Sequence, residues 1–235
     1  MKQLVDISSP EGEELECARF LHGHMQEAGI ESHLQEVEEG RANVIAIVRG
    51  GGDGPTLMLN GHLDTSYTGD SWEDYPGLGM PGPNHRPQSY EIGEGIYGLG
   101  ANNMKCGVAA AFMTLRALKS SGVELRGHVM ASGVVGESEK APVRGAMRDY
   151  QGRRYRGSGH GARYLITHWE PMDYVIIVEL IRRKQRPQVI VALGISAIGA
   201  ALDRQFLSRS SFQYFFESQS AQSDVGNPLP RIVLE

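Results

Sequence analysis

His62 and Asp64 stand two residues apart in Gly61-His62-Leu63-Asp64, directly after the apolar run 56–60. Glu137 and Glu139 have the same spacing in Gly136-Glu137-Ser138-Glu139, after the run 128–135. Glu179 follows the run 174–178. Taken singly, each has a plain reading: a histidine or glutamate after a strand is a solvated loop residue. Gathered together they would repel one another unless a cation or a proton compensates. Imidazole with carboxylates is a donor set for zinc or another first-row metal. The chemistry these residues offer is therefore that of a metal centre with a proton carrier beside it.

For residues so far apart in the chain to meet, the strands before them must run parallel. Their carboxyl ends then share one edge, where open α/β sheets bind ligands. The rest of the sequence agrees with that arrangement. Ser8-Ser9-Pro10-Glu11 predicts a helix start, and Leu15, Ala18, Leu21, Met25 and Ala28 repeat at helical spacing. Residues 42–49 and 56–60 read as strands, 65–96 as a long Gly, Pro and Tyr-rich loop, and 103–120 as a helix ended by Gly122. That helix begins apolar on nearly all sides, which predicts burial. Strand 127–135, an Arg-rich loop, a helix ending at His168 and strand 174–178 follow. The alternation predicts an α/β fold, a mostly parallel sheet flanked by helices. Residues 1–180 form its main unit. In 181–235 a strand pair over 181–206 precedes Ser/Gln-rich sequence to which no structure is assigned.

Composition narrows the function. Of 235 residues 40% are hydrophobic and 22% charged, as in a globular domain. A net charge of −5 argues against nucleic acid as the main partner. No run approaches membrane-spanning length, and the first residues contain no signal-type apolar segment. Two cysteines, Cys17 and Cys106, make no disulfide framework, and the simplest compartment is a reducing cytoplasm. Both read as small core or near-core residues. His22 and His24 share no helical face and read as surface residues. Asn102 or Asn103 would cap the helix that follows. The string "GLGANN" lacks the third glycine and the later acid of a dinucleotide fingerprint, so nucleotide binding is a weak reading.

In this order and spacing, "LNGHLDT", "GLGANNMKCGVAAA", "VVGESEKAP" and "DYVIIVEL" resemble a known family. It is that of the metal-dependent amidohydrolases that includes acetylornithine deacetylase, succinyl-diaminopimelate desuccinylase, aminoacylase and carboxypeptidase G. The resemblance covers about residues 5–180, and more faintly reaches 212. It implies a co-catalytic metal pair, usually zinc, at the carboxyl edge of the sheet. By resemblance His62 is a metal ligand, Asp64 orients its imidazole, Glu137 is the general base that deprotonates metal-bound water, and Glu179 is a ligand.

The sequence departs from that pattern in four places. Asn103 stands where the family has a bridging Asp. Ser138 stands where a ligand Glu directly follows the base. In an extended segment Glu139 points the same way as Glu137, so Glu139 takes that ligand role in this reading. Leu180-Ile181 replaces Pro-Thr after Glu179. The family's lid domain is largely missing, Arg209 stands where its His is expected, and no His follows His168, so the last metal-ligand His is absent from this sequence.

The resemblance implies hydrolysis of an N-acyl amino acid or peptide-like amide. The metal complement would be one or two zinc ions, with Co or Mn as alternatives. The partners would be a small-molecule substrate, no nucleic acid and no membrane, with an oligomer left open. Arg144, Arg148, Arg153, Arg154, Arg156 and Arg163 offer a carboxylate site, or more plainly a solvated loop. The competing reading is a truncated relative that keeps the sheet but does not catalyse.

Overall fold

The computed structural model describes residues 1–69, 82–137, 157, 159–183 and 186–195, with the backbone alone described from Val178 on. Its chain order begins with a single turn, α1 (Lys2–Val5), and the helix α2 (Leu15–Glu27). Strands β1 (Glu31–Glu38), β2 (Arg41–Val48) and β3 (Leu57–His62) follow, then a small hairpin, β4 (Tyr90–Ile92) and β5 (Gly95–Tyr97). Helix α3 (Cys106–Ser121), β6 (Val129–Val134), helix α4 (His160–His168), β7 (Tyr174–Arg183) and β8 (Arg186–Ile195) complete it.

Six strands form one sheet in the order β1-β2-β6-β3-β7-β8. The centre is parallel: β3 lies between β6 and β7 and runs with both. The outer pairings, β1 with β2, β2 with β6 and β7 with β8, are antiparallel. The sheet is therefore mixed, with the expected parallel arrangement confined to the three strands that carry His62, Glu137 and Glu179. Short connections make β1–β2 and β7–β8 antiparallel, whereas β2 and β6 are distant in the chain and pair antiparallel without one.

Strand β2 shows why these strands read as apolar runs. Val44 and Ala46 pack with α2 and α3 on one face, while Ile45 and Ile47 pack with Leu165 of α4 and Met172 on the other. Both faces are covered, so alternation disappears from the sequence. Strand β1 is the opposite case. It is an edge strand of sequence ESHLQEVE with no buried residue, and its charge hid it, as suits an exposed edge.

Several other expectations change in detail. Helix α2 begins at Leu15 because Ser8–Glu14 serves another purpose. There the Ser9 hydroxyl donates to the Leu63 carbonyl at 2.7 Å, and Thr65 N–H donates back to the Ser9 carbonyl at 2.8 Å. Helix α3 buries one face only, through Val108, Ala111, Phe112 and Leu115, and leaves Met113 exposed. The 65–96 segment contains the β4–β5 hairpin; its residues 70–81 lie outside the described residues. His22 and His24 are half-buried, His22 against the Ser32 hydroxyl and His24 against Arg116. Strand β7 continues through Leu180 to Arg183, so the sheet runs on past residue 180. Among the described residues no helix is long and apolar enough to cross a membrane.

Candidate metal centre

The parallel register of β3 and β6 pairs His62 with Val134, so both chains leave the sheet at one level. Leu63 N–H continues the ladder to the Val134 carbonyl at 2.8 Å. Beyond that point β6 turns at Gly136, whose φ of 65° suits a residue without a Cβ. The turn returns Glu137 towards the end of β3, where its N–H donates to Asp64 Oδ1 at 2.9 Å. His62, Asp64 and Glu137 thus converge, with one candidate ligand atom from each lying within 4.8 Å of the others. His62 and Asp64 are buried and Glu137 is exposed, so the cluster opens to solvent on the Glu137 side.

Two bonds fix the imidazole of His62. Nδ1 meets the backbone carbonyl of Asp64 at 2.9 Å, and Nε2 meets Asn103 Oδ1 at 2.6 Å. The Asp64 carboxylate lies farther away, at 3.5 Å from Nδ1. In the structure the Asp64 main chain makes the shorter contact to His62, while its carboxylate holds Glu137 N–H and adds charge. Burial pulls the His62 imidazolium pKa down. The Asp64 carboxylate, the Glu137 charge and the Asn103 amide oxygen outweigh it and hold the pKa up at about 9. Without a cation, a proton on His62 is the compensating charge.

Asn103 reaches this site from the turn before α3, Ala101–Lys105, which contains a cis peptide between Asn103 and Met104. It does not cap α3, whose cap residue is Lys105. Lys105 is itself buried and donates from Nζ to the Ile7 carbonyl at 2.6 Å, which ties the turn to the N-terminal segment. Burial lowers its pKa.

Glu179 lies within β7 rather than at its end, since the strand pairs Glu179 with Ile190 of β8. The β3–β7 register pairs Asn60 with Ile177, and two further positions bring Glu179 level with His62. Glu139 and Ser138 lie outside the described residues, as do Arg144, Arg148, Arg153, Arg154 and Arg156; Arg163 is exposed on α4.

Ring nitrogen Nε2 and the Asn103 amide oxygen are donors that fit one first-row cation, with the Glu137 carboxylate beside them to carry a proton. For a pair the fit is poorer, because a neutral amide at Asn103 bridges two cations less well than a carboxylate.

Two supporting residues escaped sequence reasoning. Nothing in the sequence neighbours of Glu14 marks it out. Asn43 did carry a signal, as the one polar residue inside the buried run 42–47.

Residues 58–214 match the sequence profile of a family described as Peptidase family M20/M25/M40. The chain is 28% identical over 142 residues to a probable succinyl-diaminopimelate desuccinylase of Staphylococcus aureus, covering 60% of this chain and 32% of that protein. It is 31% identical over 137 residues to a putative LysW-lysine/LysW-ornithine hydrolase of Pyrococcus furiosus, covering 58% and 33%. It therefore spans about a third of the length of these curated relatives. A tripeptidase from Staphylococcus aureus has a similar fold, with a TM-score of 0.53 at 20% identity over 76% of this chain and 41% of that one. Aminopeptidase PepT from Bacillus cereus is similar too, at 0.52 and 21% over the same shares.

Proposed function

Because the chain belongs to peptidase family M20/M25/M40, we propose that it carries the centre of a metal-dependent hydrolase acting on an N-acyl amino acid or a peptide-like amide. The observation that carries this reading is the convergence of His62, Asp64 and Glu137 where β3 and β6 leave the sheet. The named relatives, a desuccinylase and a lysine/ornithine hydrolase, favour an acyl group on an amino-acid amine as the bond cleaved.

In this reading His62 and Asn103 hold the cation, with Glu179 and Glu139 as further ligands. The cation, zinc or else Co or Mn, supplies Lewis-acid polarisation of the scissile carbonyl and acidifies water when bound. The residues of the chain do the rest. Asp64 keeps His62 in one tautomer through its carbonyl and fixes the Glu137 main chain through its carboxylate. Glu137 takes a proton from the attacking water as the water oxygen adds to the carbonyl carbon. It then gives that proton to the amine nitrogen as the carbon–nitrogen bond breaks.

The test is hydrolysis of N-acetyl and N-succinyl amino acids by the zinc-loaded chain. Turnover should vanish with chelator and return with metal, and Glu137→Gln should lower it by about 10²- to 10⁴-fold. Turnover indifferent to both would refute the reading. Asn103 favours one alternative, a relative that binds a single cation and does not turn over. It would take up zinc yet hydrolyse none of these amides.

A further inference from the structure

Three consecutive amides lead into Glu137, and each donates to a side chain brought from elsewhere in the chain. Val135 N–H donates to Asn43 Oδ1 at 3.0 Å, Gly136 N–H to Glu14 Oε1 at 3.2 Å, and Glu137 N–H to Asp64 Oδ1 at 2.9 Å. The Gly136 carbonyl is gripped as well, accepting from Gly159 N–H at 2.9 Å and His160 N–H at 3.2 Å. Both the N–H and the carbonyl of Gly136 are therefore held where the chain turns with positive φ.

Glu14 is held in a fully buried ion pair. Its side chain and that of Arg41 are fully buried, with Arg41 Nη2 at 2.5 Å from Glu14 Oε1 and Nε at 2.9 Å from Oε2. Arg41 also pairs with Glu38. A buried ion pair is a poor source of stability, since apolar residues of similar volume often serve as well. A role in placing Gly136 accounts for keeping it. Glu14 also lies before the family-matched residues 58–214, in a segment whose Ser9 is bonded to the loop after His62.

We propose that Glu14, held by Arg41, is a positioning residue for Glu137, acting through the Gly136 amide. This rests on Glu137 being the proton carrier. A displacement of about 1 Å in such a group costs on the order of 10²-fold in rate.

The experiment uses the full chain and three variants. Glu14→Gln keeps an acceptor for Gly136 N–H, whereas Glu14→Met combined with Arg41→Met removes the acceptor and both fully buried charges, leaving the part-exposed Glu38 to solvent. Glu14→Asp shortens the reach. Each is measured for thermal midpoint, for hydrogen exchange of the Gly136 amide, and for kcat, KM and the acid limb of the pH–rate profile. The wild-type Gly136 amide should be protected. The double variant should fold, lose that protection, lower kcat by about 10- to 100-fold with little change in KM, and shift the acid limb. Glu14→Gln should recover most of both. The proposal is overturned if the folded wild type exchanges Gly136 freely, or if a folded double variant keeps its protection or its kcat. Should the double variant not fold, Glu14→Asp decides by the same readings. Should the wild type hydrolyse nothing, the proposed activity fails, and the exchange comparison still judges the contact from Glu14 to Gly136.

Discussion

Asn103 is the residue at which the chemistry of this site is decided. Its amide oxygen already faces His62 Nε2 at 2.6 Å, so the position reaches the centre, and only its charge departs from a carboxylate's. Asn103→Asp changes the charge and little else. The variant is expected to retain more zinc than the wild type, rising from about one towards about two ions per chain, because a bridging carboxylate can then clamp a pair. Elemental analysis after dialysis measures it, and unchanged stoichiometry would show that another missing ligand sets the limit. His62, Asp64 and Glu137 were legible in the sequence because each follows an apolar run. The route by which Asp64 acts was not, since main-chain and side-chain oxygens of one residue share one letter. Glu14 was illegible for a related reason: its partners Arg41 and Gly136 are 27 and 122 residues away.

The elements that aim these side chains meet at close quarters, α4 against the end of β6 among them. A Cβ built at Gly161 would lie 2.4 Å from the Val135 carbonyl oxygen and 2.6 Å from Asn43 Oδ1. Neither neighbour is the free end of a flexible side chain. Gly161→Ala should therefore push α4 from the end of β6, costing about 1–3 kcal/mol and disturbing the segment before Glu137. A lowered denaturation midpoint together with weaker zinc retention is the expected result. A loss of midpoint with zinc retention intact would separate this packing from the site. Helices α2, α3 and α4 and strands β2, β3, β6 and β7 were legible because burial imposes periodicity or apolar runs on them. Strand β1 was not, for an exposed edge imposes neither. The start of α2 was misplaced because Ser8–Glu14 has a capping sequence but spends its polar groups on the loop after β3 and on the turn after β6.

At the scale of the whole molecule, two charge networks set opposite pH limits. The imidazolium of His62 is held at about 9 against an ordinary 6.5, so it binds its proton more tightly folded than unfolded. Its contribution to stability is complete below about pH 6.5 and is lost as pH rises through about 9. Glu31, bonded to Arg49 and His33, is lowered from 4.5 to about 2. Its contribution is complete above about pH 4.5 and is lost as pH falls towards 2. The Glu31 effect is the smaller, because that pair is exposed to solvent. The metal-free protein should accordingly be most stable between about pH 4.5 and 6.5. Zinc must displace the His62 proton, so loading should remove the alkaline limb and leave the acid limb in place. Thermal midpoints across pH, with and without zinc, test this; an alkaline limb that persists in the loaded protein would contradict it. The mixed character of the sheet also belongs to this scale, since β2 and β6 pair antiparallel although they are distant in the chain.

The most direct measurement is the zinc content of the chelator-stripped and reloaded chain, taken beside His62→Ala, with thermal unfolding of the same samples. A metal centre built on His62 predicts about one zinc retained per wild-type chain and a raised midpoint, with both lost in the folded His62→Ala variant. No retained zinc in the wild type, or equal retention in the variant, would contradict the account.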